Sequence, residues 1–261
     1  MGEIRQCTRN LVSAALQTMF IGKRRTKLRR KIIKSPSAVG RRDFLCYNPI
    51  SQGGMDLETK ILKSTEQNLI RAAEMIKKGE LVAFPTETVY GLGANGLNIE
   101  ACRKIFVAKG RPSDKALSLH VASVEMASEI AQITAQAEKL FEKFLPGALT
   151  IILSKNKIVP DYVTGGKTSV GVRIPANEVA LRLIRLSGVP IAAPSANLSG
   201  KMPPKTAQEV FNNLSGKIPL ILDGGACEFG ISSTIIDLTA SEPKILRHGA
   251  ISEEKIMEVL E

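Results

Sequence analysis

Three cationic residues are concentrated in one short segment of the sequence. The stretch "AKGRPSDKALSLH", residues 108–120, places Lys109, Arg111 and Lys115 within seven positions between two apolar runs, and only Asp114 is nearby to balance them. A single Lys or Arg on a loop is more often solvated than functional. Idle solvation is therefore one reading of all three, and the other is that they contribute to an anion-binding groove. The segment is therefore a candidate anion-binding loop.

Further polar residues follow or interrupt apolar runs elsewhere in the chain. Arg173 lies inside "SVGVRIP", where a guanidinium needs a carboxylate or phosphate partner to be tolerated. Because ligands of open α/β sheets bind beyond the strand ends, one groove could collect all of these side chains. Turn and cap roles remain the alternative for the Ser, Thr and Glu residues, and a core role for His120. The candidates are Thr86, Glu87, Thr88, His120, Arg173, Ser195, Asn197, Ser232, Ser233, Thr234 and Arg247.

Several common catalytic and nucleotide-binding motifs are missing from the sequence. It contains no GxxxxGK[ST] P-loop, no GxGxxG after a predicted strand and no GxSxG elbow. The two histidines and four scattered cysteines form no zinc pattern, so we expect a reducing compartment and no structural metal. A nucleotide would have to be held by side-chain cations and hydroxyls. Catalysis would then rest on positioning and charge stabilisation, without a covalent nucleophile.

Alternating strands and helices must position these residues. We predict a loop at "PTETVYGLGANG" (85–96) because of its proline and glycines. The alternation, with more strands towards the end, predicts a single α/β domain with a mixed sheet. The predicted strands are "LVAF", "ALSLHV", "ALTIIL", "SVGVRIP", "VPIAA", "PLILD", "STIIDL" and "KILR". The predicted helices are 65–78 with a Ser64/Gln67 capping box, 98–108 capped by Asn98, 123–131, 134–144, 177–187 capped by Asn177, 207–214, and one from Ser252.

The positive charge is concentrated at the N-terminus. The formal net charge is +11, but residues 1–54 hold 12 Lys/Arg against two Asp/Glu, which leaves the rest nearly neutral. Three interpretations of this extension stay open: an organellar transit peptide, a basic tail that touches RNA, and a start codon placed upstream of Met55. No apolar run approaches the roughly 18 residues of a membrane-spanning helix. We therefore expect a soluble cytoplasmic protein, or an organellar one if the extension is a transit peptide.

Together these segments resemble the YrdC-like family from about residue 65 to 251. The matching segments include "KGRPSDKALSLHV", "LPGALTIIL", "VGVRIP", "APSANLSGKMPPKT" and "SSTIIDL", in the family's order and spacing. The most specific feature is a Lys-x-Arg followed far downstream by Ser-x-Asn, which here is Lys109, Arg111, Ser195 and Asn197. The resemblance implies an open, twisted mixed sheet flanked by helices, with a concave basic groove, in a catalytic domain spanning 55–261.

The resemblance also implies an activity and a set of site residues. Members resemble L-threonylcarbamoyladenylate synthases, which use L-threonine, bicarbonate and ATP with Mg²⁺ and supply a tRNA-modifying transferase complex. The implied catalytic residues are Lys109 and Arg111. The implied threonine site is Thr88, His120, Arg173, Ala193 and Ser233. The implied ATP site is Arg111, Lys115, Ser169, Ser195, Asn197, Pro203 and Arg247, with no protein ligand to a metal.

Two other functions remain open from the sequence. One is a non-catalytic RNA-binding module with contact to tRNA, which the nearly neutral body disfavours. The other is a carbamoyl-transfer domain of the kind found in hydrogenase-maturation proteins, which usually accompanies acylphosphatase-like or zinc-finger sequence. Longer family members carry a second C-terminal domain after a linker. The chain ends at Glu261, about ten residues after the last shared motif, and we therefore expect the short, single-domain form.

Overall fold

The computed structural model describes residues 57–261, so the interpretations of residues 1–54 lie outside it. Within the described range, ten strands and seven helices follow one another along the chain. The strands are β1 (Lys60–Lys63), β2 (Val82–Phe84), β3 (Gly91–Asn95), β4 (Ser118–His120), β5 (Leu149–Ser154), β6 (Ser169–Arg173), β7 (Ile191–Ala192), β8 (Leu220–Asp223), β9 (Thr234–Asp237) and β10 (Lys244–Arg247). The helices are α1 (Glu66–Lys77), α2 (Ile99–Lys109), α3 (Val124–Ile130), α4 (Ala135–Phe144), α5 (Glu178–Ser187), α6 (Ala207–Leu214) and α7 (Glu253–Leu260).

All ten strands form one mixed sheet in the order β1-β8-β2-β3-β7-β4-β6-β5-β9-β10. The pairs β1/β8, β2/β8, β4/β6 and β5/β9 are parallel, and the other neighbours are antiparallel. The predicted α/β class with a mixed sheet is thus confirmed. The parallel pairing of β4 with β6 sets His120 opposite Arg173, which brings two candidate site residues to the same strand ends.

Both faces of the central strands are buried under helices. Val82 and Phe84 pack in one apolar cluster with α1 and α5, whereas Ala83 between them packs in a second cluster with α2, α4, α6 and α7. Because side chains alternate across a strand, such continuous apolar runs need a cover on each side. The two helical layers provide it and leave the polar strand ends to form the site.

Strand β3 lies inside the segment 85–96 that the sequence predicts to be a loop; the prediction is wrong for residues 91–95, whereas residues 85–90 form a loop as predicted. A Cβ atom on Gly93 would lie 2.7 Å from the Phe84 ring and 2.9 Å from Ile191, so a side chain has no room there. Glycine inside a strand often marks such a close approach. Gly93, and likewise Gly96, where a Cβ would lie 2.5 Å from the Leu119 side chain, are therefore required by packing.

Two other local differences concern the first elements. The sequence predicts no strand before the first helix, but β1 pairs in parallel with β8 at one edge of the sheet. Helix α1 is capped by Thr65, whose hydroxyl accepts from the Asn68 amide, so the predicted Ser64/Gln67 box is wrong by one position. The caps at Asn98 and Asn177 are confirmed, because each side-chain oxygen accepts an amide N–H 3.1 Å away in the first turn.

None of the helices between residues 57 and 261 is long and apolar enough to cross a membrane. In the same range, no group of three or more His, Cys, Asp and Glu side chains is arranged to hold a metal ion. Cys102 and Cys227 are both buried and unpaired in this part of the chain.

Candidate functional site

A cavity of about 180 Å³ opens where several strand ends and loops meet. Eight of the thirteen site residues that the family resemblance implies line it, and so do the further candidates Thr86 and Ser232. The segments that contribute are the β2–β3 connection, the loop after α2, strand β4, the ends of β6 and β10, one residue of β5, the turn after β7 and the segment at the start of β9. The eight residues are Thr88, Arg111, His120, Arg173, Ala193, Ser195, Ser233 and Arg247.

The segment that carries Arg111 and Lys115 after α2, here called the cationic loop (residues 110–117), is held in place by a neighbouring turn. Helix α2 ends at Gly110, whose φ of 58° is the left-handed conformation that glycine adopts readily. The loop then packs so closely on the turn at 161–167 that a Cβ on Gly165 would lie 2.5 Å from the Asp114 carbonyl oxygen. Within it, Arg111 is half-buried, donates to the Ala116 carbonyl at 3.0 Å and lines the cavity.

Arg173 is fixed by three elements of the fold. Its Nη2 donates to Glu87 Oε1 at 2.8 Å and to Thr88 Oγ1 at 2.9 Å, and its Nε donates to the Gly147 carbonyl at 3.1 Å. Arg173 and Glu87 are only 4 % and 6 % exposed, and each balances the buried charge of the other. No described residue accepts a hydrogen bond from Nη1, and the residue lines the cavity.

His120 is the buried imidazole of the site. Burial first, and then the positive charge of Arg173, lower the pKa of His120 to about 3. The ring is therefore neutral at physiological pH, with an Nδ1 atom that is buried and has no partner among the described residues. Phe84 packs edge-on against it, with ring centroids 6.4 Å apart. A neutral imidazole can exchange hydrogen bonds with a ligand without adding charge.

Hydroxyl groups and a third guanidinium line the cavity near the start of β9. Thr150 and Ser233 share a hydrogen bond of 2.8 Å, and Arg247 donates to the carbonyl and hydroxyl oxygens of Ser233 at 2.8–3.0 Å. The sequence reasoning missed Thr150 and Ser118 as lining residues. Thr150 does carry a signal, because it is a hydroxyl inside the apolar strand "LTIIL" and is 2 % exposed.

Five of the residues that the resemblance implies do not line the cavity, and neither does the further candidate Thr234. Lys109 and Asn197 are buried behind it, and Lys115 is exposed on the cationic loop. Ser169 begins β6, at the end of that strand away from Arg173, and Pro203 is half-buried in the segment before α6. Glu87 also lies outside this lining and borders a second cavity with Phe144 and Phe229.

The arrangement is suited to an anionic ligand. Three arginines line the cavity, and of the described residues around it none is an Asp or Glu. Guanidinium groups bind carboxylate and phosphate oxygens through paired N–H donors, and the nearby hydroxyls can bind the remaining polar atoms. The lining therefore suits carboxylate or phosphate oxygens.

Comparison with known proteins identifies relatives of the chain. The family model Sua5/YciO/YrdC, described as "Telomere recombination", matches residues 74–249. "Threonylcarbamoyl-AMP synthase" of Pyrococcus abyssi is 52 % identical over 190 residues, which cover 72 % of this chain and 56 % of the relative. The protein of the same name from Bacillus subtilis is 44 % identical over 204 residues, which cover 77 % and 59 %. The chain thus spans little more than half the length of these relatives.

Solved structures agree with this relationship. P. abyssi Sua5 complexed with L-threonine is 48 % identical with a TM-score of 0.74, and covers 78 % of this chain and 60 % of its own. E. coli YciO is 27 % identical with a TM-score of 0.66, covering 75 % and 96 %. HypF, solved in a phosphate- and nucleotide-bound form, is 20 % identical with a TM-score of 0.62, covers 69 % and 29 %, and shares the fold alone. The chain belongs to the Sua5/YciO/YrdC family.

Proposed function

We propose that this chain is an L-threonylcarbamoyladenylate synthase, which joins L-threonine, bicarbonate and ATP into threonylcarbamoyl-AMP and releases pyrophosphate. The observation that carries the proposal is the convergence of Arg111, Arg173, Arg247 and Ser195 on one cavity. The 52 % identity to a relative named for this synthase supports the same reaction, and the threonine complex of P. abyssi Sua5 supports the substrate.

In this proposal the threonine lies at the buried end of the cavity, between Thr88, His120, Arg173, Ala193 and Ser233. Arg173 pairs with the amino-acid carboxylate, because Nε and Nη2 are held by the protein while Nη1 is left for a ligand. His120 is a neutral hydrogen-bond partner, since its burial disfavours the protonated ring.

The ATP then lies towards the cationic loop. Arg111, Ser195 and Arg247 line the cavity and would contact the nucleotide directly, with Lys115 reaching the phosphates from the rim. Ser169, Asn197 and Pro203 complete the set that the family resemblance implies. No carboxylate cluster in the described range suits Mg²⁺, so the ion would arrive on the triphosphate as part of the substrate.

The chemistry needs positioning more than a nucleophilic side chain. The threonine amine is carboxylated by bicarbonate with loss of water, and a carbamate oxygen then attacks the α-phosphorus. The bond from that phosphorus to the bridging oxygen breaks, and pyrophosphate leaves. Cations around the phosphates stabilise the charge that develops on the leaving group, and holding the two reactants together lowers the barrier further.

The partners follow from the product. Threonylcarbamoyl-AMP would be consumed by a threonylcarbamoyl-transferase complex that modifies adenosine beside the anticodon of tRNA. We expect this in the cytoplasm, or in an organelle if residues 1–54 are a transit peptide. The alternative, a non-catalytic RNA-binding module, would need an evident basic face, and the nearly neutral charge of residues 55–261 disfavours it.

The decisive experiment is to incubate the full chain with ATP, labelled bicarbonate and L-threonine and to measure pyrophosphate release. We expect release that requires threonine, together with label in the adenylate product. Arg182→Ala, at an exposed position on α5, is the matched arginine control and should retain this activity. Pyrophosphate release that is unchanged when threonine is omitted would contradict the proposal.

A further inference from the structure

We infer that Lys109 is a positioning residue whose ammonium holds the turn at Ser195–Asn197 against the end of α2, and that it does not bind the substrate phosphates. The catalytic consequence rests on the proposed function, whereas the structural role rests on contacts alone. The inference separates Lys109 from Arg111, although both belong to the same Lys-x-Arg motif.

The described contacts of the Lys109 ammonium are to main-chain atoms of the Ser195–Asn197 turn. Its Nζ donates to the carbonyl oxygens of Ser195 and Asn197. The residue is only 3 % exposed and is not part of the cavity lining, whereas Ser195 is. Burial and the two carbonyl contacts thus assign the ammonium to the turn.

The turn depends on the same small set of contacts. The Ser199 amide donates to the Lys109 carbonyl at 2.9 Å, so main chain and side chain of Lys109 both hold this segment. Asn197 closes the next turn, because its side-chain nitrogen Nδ2 donates to the main-chain carbonyls of Leu198 and Lys201, both at 2.8 Å. On the other side, the Ala196 amide donates to the Tyr90 carbonyl, also at 2.8 Å.

In both the Lys-x-Arg and the Ser-x-Asn motif, the two named residues therefore have different positions relative to the cavity. In each, one residue lines the cavity and the residue two positions away is buried behind it. Arg111 and Ser195 form the ligand-facing pair, and Lys109 and Asn197 form the pair that holds the turn. The spacing of two in both motifs fits this division between front and back.

The structural role can be tested by backbone hydrogen exchange, which needs no enzymatic activity. In Lys109→Met, amides in residues 195–201 should exchange roughly tenfold to hundredfold faster, because two hydrogen bonds from a charged donor are lost. Lys104→Met is the matched control, since Lys104 lies on the same helix but is exposed and pairs with Glu80. Unchanged exchange in Lys109→Met would overturn the inference.

A second variant covers the case in which Lys109→Met fails to fold. Lys109→Gln keeps a neutral NH₂ donor on a shorter side chain, so exchange in residues 195–201 should be intermediate between wild type and Met. Exchange at the wild-type rate in Lys109→Gln would equally overturn the inference.

The catalytic consequence can be tested with a double-mutant cycle. Lys109→Met and Ser195→Ala should each raise the KM for ATP, with the KM for threonine within about twofold of wild type. The double variant should lie within about twofold of the worse single variant, because Lys109 would act on ATP through the position of Ser195, whose hydroxyl Ser195→Ala removes. Fully multiplicative effects would indicate two independent phosphate ligands. If the wild type shows no threonine-dependent pyrophosphate release, the proposed function fails and the exchange experiment still decides the role of Lys109.

Discussion

Arg173 and Lys109 are two nearly buried cations, 4 % and 3 % exposed, that the fold stabilises in different ways. Arg173 is balanced by the carboxylate of Glu87 and keeps one nitrogen without a described partner at the cavity. Lys109 has no carboxylate contact in the described structure and donates to two main-chain carbonyls. Because Glu87 balances its charge, Arg173 can keep one nitrogen facing the cavity. Among the described residues, the ammonium of Lys109 has only carbonyl oxygens as partners, and its hydrogen bonds all go to the backbone.

The largest effect should come from removing the counter-ion of Arg173. Glu87→Ala leaves a guanidinium buried without its charge partner, which typically costs about 3–5 kcal/mol. We expect a loss of that size in the free energy of unfolding, measured by urea denaturation. Glu100→Ala is the matched control, because its ion pair with Arg103 is exposed and should be worth about 1 kcal/mol or less. Equal losses in the two variants would show that the Glu87–Arg173 pair has no special role.

A second prediction uses the fact that Lys109 can release its proton whereas Arg173 cannot. Burial first, and then the nearby Arg111, lower the pKa of Lys109 to about 8 from an unfolded value near 10.5. Between these two values the unfolded chain binds more protons, so this lysine makes stability rise as pH increases from about 8 to 10.5. The expected rise is up to about 3 kcal/mol.

This rise can be measured as the difference between wild type and Lys109→Met in urea denaturation at several pH values. The Met variant should lack this component, and Arg111, the charged neighbour named above, stays protonated throughout the range. Parallel pH profiles for the two proteins would show that Lys109 does not titrate in this window.

The smallest effect should come from replacing Arg173 by another cation. Arg173→Lys keeps a positive charge beside Glu87 but loses Nη1, the donor that the protein leaves for the carboxylate while Nε and Nη2 are held. We expect a roughly tenfold to hundredfold increase in the KM for threonine and little change in the KM for ATP, the size of losing a hydrogen bond to a charged group. Steady-state pyrophosphate release measures both constants. Equal increases would show that Arg173 does not distinguish the two substrates.

Element types were predictable from the sequence wherever a local signal exists. The helices capped by Asn98 and Asn177 form as predicted, because a cap and an apolar stripe are local features. Strand β3 was not predictable, since its glycines look like turn residues until Phe84 and Ile191 are placed against them. The edge strand β1 was missed for a similar reason, because it depends on pairing with β8, about 160 residues later in the chain.

The residues of the candidate site also fall into those that the local sequence could identify and those that it could not. Arg173 was recognisable because a guanidinium inside an apolar strand needs a partner, and the structure supplies Glu87. Thr150 was overlooked because one hydroxyl in an apolar strand resembles a satisfied core residue until Ser233 is placed 2.8 Å away. Lys109 could not be told from Arg111 by sequence, because both are cations at the end of one helix.

By itself, the sequence determined the residue types that bind anions, the alternation of strands and helices and the membership of a family. These follow from composition, periodicity and motif spacing, which are properties of neighbouring residues. Only the tertiary structure decided which cations face the cavity, since the direction of a side chain depends on contacts with segments far away in the chain. Arg111 faces the cavity and Lys109 the backbone because the Ser195–Asn197 turn, more than 80 residues later, packs against the end of α2.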